Sequence, residues 1–151
     1  MASLQNRRCT HIFLLGYLLF LTSLALPALK IMNTMLDGSQ CAFMTMAAIS
    51  EFYKGGDSLY LASIGIGNVF MFASPLCLRL RRLSLLKMAL LLAGIYVLRV
   101  ASVFLSETHL MIAYYFWLAA SILIFVALNC RLKSKEMAFG KGLKVLHYFG
   151  R

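Results

Sequence analysis

Four long apolar runs dominate this 151-residue chain. They are Ile12–Leu29, Ser58–Leu78, Met88–Leu105 and Leu110–Leu128. Each comes close to the roughly 20 residues that a helix needs to cross the hydrocarbon core of a bilayer. Inside lipid, every backbone N–H and C=O must find its partner within the segment, so such runs are expected to be helices. The composition agrees. Hydrophobic residues make up 62% of the chain and charged residues only 13%. Soluble domains carry about 25% charged residues. One core in a chain this short cannot bury that much apolar surface. The expected fold is therefore all-α: a bundle of four transmembrane helices filling residues 1–130, followed by a basic tail over 131–151.

The basic residues give the chain a direction. Arg7 and Arg8 precede the first run, and Arg79, Arg81, Arg82 and Lys87 separate the second from the third. Arg131, Lys133, Lys135, Lys141, Lys144 and Arg151 follow the fourth. Twelve of the 15 basic residues thus fall on one side of a four-span bundle. Asp37, Glu51, Asp57 and Glu107 fall on the other. Short loops rich in Lys and Arg stay in the cytoplasm, so both termini are expected there. The net charge of +10 is then a matter of orientation and of anionic headgroups at the tail, and nucleic acid is not an expected partner. A competing reading makes the first run a signal peptide ending at Ser23-Leu24-Ala25. The apolar run continues past that point through Leu29, which weighs against cleavage.

The segment 30–57 is the single long external loop, and it is half apolar. Cys41–Tyr53 reads as a helix of three to four turns, too short to span, that lies on the outer surface or dips into the bundle mouth. Gly38 on one side and Gly55-Gly56 on the other punctuate it. Met44 and Phe52 are its expected interfacial residues, with methionine as an adaptable contact. Tyr114, Tyr115 and Trp117 open the fourth run, as an aromatic belt does at a membrane boundary. The tail alternates basic and apolar residues, with Gly140 and Gly142 expected to interrupt any continuous helix.

Few residues suggest chemistry. An arginine at a helix centre costs about 2.5–3.5 kcal/mol on insertion scales. Arg99 stands inside the third run, with roughly 9 Å of helix between it and the outer end. It either reaches the outer interface or pairs inside the bundle, with Glu51 the first-choice partner and Asn68, Asp57 and Glu107 the others. Asn68 sits in Gly65-Ile66-Gly67-Asn68, where its amide calls for a partner on another helix. Ser63 and Gly67 form a small-x-x-x-small pair suited to close helix approach. The cysteines Cys9, Cys41, Cys77 and Cys130 form no C-x-x-C pair, and three lie toward the basic side, where thiols stay reduced. An internal disulfide is not expected. There is no zincin motif, Walker loop or placed nucleophile, so no catalytic residue, metal or cofactor is expected. No acid lies within a span, which weakens proton-coupled transport.

Leu26-Pro27-Ala28-Leu29, then Gly38 and Cys41, then Gly67-Asn68 through Ser74-Pro75, resembles a pattern in small four-span bacterial inner-membrane proteins of unassigned activity. That pattern often has an aromatic residue beside the Asn, where this chain has Gly67 and Val69. The resemblance covers the first half of the chain. It implies four spans and an apolar external loop, and transfers no functional residue. The expected role is a non-enzymatic inner-membrane protein that binds a membrane protein partner or a second copy of itself, with immunity to a membrane-active toxin as a specific form. The first alternative is a small transporter or channel subunit using Arg99 and Asn68, and an enzyme acting on lipid comes third.

Overall fold

The computed structural model describes the backbone of residues 2–31, 34–80, 82–106 and 111–149, and side chains within 7–28, 35–51, 53, 55–56, 59–80, 82–102 and 111–137. Helix α1 covers Ala2–Leu24, and strands β1 (Pro27–Ile31) and β2 (Thr34–Asp37) form a hairpin. Helix α2 (Gly38–Ala47) runs into a 3-10 segment, Ala48–Lys54. Helix α3 (Asp57–Ala73) likewise continues as a 3-10 segment, Ser74–Arg79. Helices α4 (Leu83–Ser106) and α5 (Ile112–Phe149) complete the chain.

Among the described residues, three helical segments are long and apolar enough to cross a membrane: Leu59–Arg79, Leu83–Ser102 and Ile112–Met137. They bury only part of their surface against one another. Along α4, Leu85, Met88, Leu91, Leu92, Ile95 and Leu98 are all exposed. Soluble proteins rarely show a contiguous apolar face of this kind, whereas a lipid-facing helix needs one.

The first run departs from its expected bounds. The helix ends at Leu24 rather than Leu29, and the last residues of the run enter a two-stranded β-hairpin within an otherwise mostly helical chain. Pro27 is the physical reason. It has no N–H to donate and it biases Leu26 away from helical angles. The last turn closes through Ala25 N–H to Thr22 O (3.1 Å) and Leu26 N–H to Ser23 O (3.3 Å). The strands then pair antiparallel, with Pro27 opposite Asp37 and Ile31 opposite Thr34. The loop does hold a short helix, but it covers Gly38–Ala47 and passes into a 3-10 segment through Lys54 rather than running over Cys41–Tyr53, so Gly38 opens the helix instead of lying outside it. Gln40 Oε1 accepts the Asp37 backbone N–H at 3.0 Å, which fixes its first turn.

Helix α5 is the backbone of the packing and lies against both α1 and α4. It runs antiparallel to α1. Residues 9 and 130 meet at one end, Gly16 faces Ala120 and Ile124 in the middle, and Ala28 O accepts the Met111 N–H (3.0 Å) at the other. Phe13, Phe20, Ile124 and Leu128 are fully enclosed along this seam. At 38 residues α5 is also longer than expected. Gly140 and Gly142 do not interrupt it, and the helix runs on to Phe149. A helical glycine costs only about 1 kcal/mol against alanine, which a helix already nucleated well upstream, from Ile112 onward, absorbs.

The same antiparallel pairing overturns the expectation about cysteines. Cys9 and Cys130 are joined in a disulfide, with their Cα atoms 5.9 Å apart. Their shared side of the molecule is evident from the order of the runs. That α1 and α5 are direct neighbours is not.

Candidate functional site

The hairpin and the residues between it and α3 form a cap on one end of the helices. Close backbone contacts hold it there. Gly38 starts α2 directly over the end of α1, where an added Cβ would come within 2.1 Å of Ser23 O. Gly65 of α3 lies against α2, where a Cβ would come within 2.1 Å of Thr45 O. Gly55 and Gly56, at φ of 71° and 55°, turn the chain from the cap into α3. Left-handed angles of this kind favour glycine over residues that carry a Cβ.

A polar relay joins the cap to the helices beneath it. Asn68 is completely buried. Its Oδ1 accepts the Tyr96 hydroxyl from α4. Its Nδ2 donates to Thr45 Oγ1 on α2 at 2.9 Å. The Thr45 hydroxyl in turn donates to Ala42 O at 2.9 Å. Gly67 makes room for this arrangement, since a Cβ there would fall within 1.9 Å of the Tyr96 ring. Asn68 and Gly67 thus act together: one bonds the tyrosine that the other seats. Thr45 and Tyr96 escaped the sequence reading, as did the close contact that Gly65 makes with α2. Three small or amide residues within four positions of α3, at 65, 67 and 68, were the available signal.

Above the relay, Cys41, Thr45, Tyr96, Tyr114 and Trp117 surround a cavity of about 10 Å³, the scale of a single water. Burial, with a smaller contribution from Asp37, pushes the Cys41 thiol above its ordinary pKa and keeps it protonated. Trp117 is only 3% exposed and packs on Phe20 and Tyr114. It is a core residue and not part of a lipid-facing belt. Tyr114 is half-buried beside it, and Tyr115 alone of the three is exposed. Among the described residues the Trp117 indole N–H has no acceptor.

Arg99 does not join the relay. It is exposed, and its guanidinium stands 5.9 Å from the centroid of the Tyr60 ring, near the outer limit of a cation–π contact. Glu51 is exposed on the 3-10 segment of the cap. Of the expected interfacial residues, Met44 is exposed and the side chain of Phe52 lies outside the described residues, as do the side chains of Asp57 and Glu107, two of the expected Arg99 partners. Comparison with protein-family models, with characterised proteins and with solved structures gives no significant match. The site must be read from its own chemistry.

The outer face of the cap is its most distinctive surface. Phe43 is 71% exposed and Tyr53 72%, with Met35 and Met44 close behind. Leu36, Ser39, Gln40, Phe43 and Met44 line an open groove of about 550 Å³. The opposite end is basic and tied by side chains. Arg131 donates to Leu78 O and Lys135 donates to Leu80 O at 2.5 Å, satisfying carbonyls that the 3-10 segment leaves open. Lys87 pairs with Glu136 at 3.4 Å.

Proposed function

We infer that the chain is a non-enzymatic, four-span inner-membrane protein with both termini in the cytoplasm, and that its external cap binds a membrane protein partner. In this reading α1 is the fourth span, alongside the three more apolar ones. Its antiparallel seam with α5 supports that role. The basic residues gathered at the end opposite the cap support the orientation. Immunity to a membrane-active toxin is the most specific form of this function. It rests on analogy with other small, basic, polytopic proteins.

One observation carries the proposal. The cap presents exposed Met35, Phe43, Met44 and Tyr53 on elements held in place by backbone contacts and a buried relay. Aromatic residues and methionine are enriched where proteins meet, and preorganisation lowers the entropy lost on binding.

A photo-crosslinking residue at position 43, compared with one at Leu91 on the exposed face of α4, tests this in native membranes. The expected result is a discrete protein adduct from position 43 that disappears with Met44→Ser, and lipid adducts alone from position 91. Lipid adducts alone from both positions would make the cap a membrane-resting lid.

A further inference from the structure

We propose that Cys9 and Cys130 form a reversible redox staple that locks α1 to α5 under oxidising conditions. The inference uses the orientation proposed above, which puts both cysteines on the cytoplasmic side. That location and the disulfide pull in opposite directions. Arg7 and Arg8 before the first cysteine, and Arg131 after the second, mark a cytoplasmic end. Cytoplasmic thiols are kept reduced, and the disulfides that do form there are mostly transient or redox-sensing. A pair that opens and closes satisfies both observations.

The two cysteines are unequal in access: Cys9 is 2% exposed, while Cys130 is half-buried. Cys130 is therefore the attacking thiol. Its thiolate attacks a low-molecular-weight disulfide, RSSR, forming a mixed disulfide and releasing one RS⁻. Cys9 then loses its proton and attacks the Cys130 sulfur, expelling the second RS⁻. Two protein thiols are oxidised and one RSSR is reduced to two RSH, after the released thiolates take up the two protons. An excess of RSH drives the same steps backward.

The closed bond acts on the helix that seats the cap. The far end of α1 carries Ser23, whose carbonyl lies against Gly38. Phe13, Gly16 and Phe20 already pack α1 along α5, so the open form keeps its fold. The staple adds a constraint across 121 residues of chain.

The test uses the full chain in cells, with Cys41→Ala and Cys77→Ala leaving only the proposed pair. Free thiols are trapped by acid and counted by gel shift with a polyethylene glycol maleimide under denaturing conditions. Untreated cells should give two adducts per chain, cells exposed to a membrane-permeant disulfide none, and subsequent reduction two again. With Cys9→Ser, the disulfide should leave Cys130 as a mixed disulfide; with Cys130→Ser, Cys9 should remain free. No adducts before treatment would mean a permanent bond. Two adducts after treatment would mean no bond forms. Either result overturns the proposal. A protease-sensitive tag after Arg151, scored in inside-out vesicles from the same cells, reports sidedness separately. Failure of the orientation is thereby distinguished from failure of the redox step.

Discussion

Gly65→Ala is expected to detach the cap and to destabilise the protein by about 1–3 kcal/mol or more. The new Cβ would lie 2.1 Å from Thr45 O, 2.6 Å from Thr45 C and 3.0 Å from Met46 Cα. All three are backbone atoms of α2, so no rotamer change can clear them. Helices α2 and α3 must separate, and the Asn68–Thr45 bond stretches with them. Gly94→Ala is the matched control in α4. Its Cβ would meet only the Phe125 ring, at 3.3 Å, and a small ring displacement relieves that. Hydrogen exchange in detergent should show faster exchange over residues 38–54 in Gly65→Ala and unchanged exchange in Gly94→Ala. Equal protection of the cap in both variants would mean that α2 does not sit on α3 as described.

Asn68→Leu should cost about 1–3 kcal/mol, because it leaves a buried tyrosine hydroxyl without its acceptor. Tyr96→Phe should cost less, since Asn68 keeps its bond to Thr45. The double variant should be less destabilised than the sum of the two, as it removes both halves of the buried pair. A coupling of about 0.6–1.7 kcal/mol is expected, the scale measured for hydrogen bonds between membrane helices. A double-mutant cycle read by thermal unfolding in detergent measures it. Strict additivity would show that the two side chains do not interact. Asn68→Leu should also speed exchange in α2, because the relay passes through Asn68 from α4 to Thr45.

The membrane-length helices were legible because apolar length is a property of each segment alone. Arg79, Arg81, Arg82 and Lys87 between two runs already separate α3 from α4. The hairpin was not legible, since Leu29 and Ile31 look as much like the end of a span as like a strand. Pro27 was the signal, with Asp37 and Gln40 marking a fresh helix start ten residues later. Properties set by which helices touch were out of reach. Trp117 occupies a belt-like position in the sequence, yet it turns toward Phe20 on α1. Cys9 and Cys130 lie at opposite ends of the chain, and only the α1–α5 seam brings them together. Asn68 announced itself as an amide in an apolar run, but its partners lie 23 and 28 residues away on elements whose order in space had to be seen.

For the cap to meet an external partner, a membrane must separate it from the basic end. Single cysteines introduced at Tyr53 on the cap and at Lys133 on α5, in a background without the native cysteines, test this directly with a membrane-impermeant maleimide. In intact spheroplasts position 53 should label and position 133 should not, and inside-out vesicles should reverse the pattern. Labelling of both positions from the same side would contradict the four-span arrangement and the partner-binding face built on it.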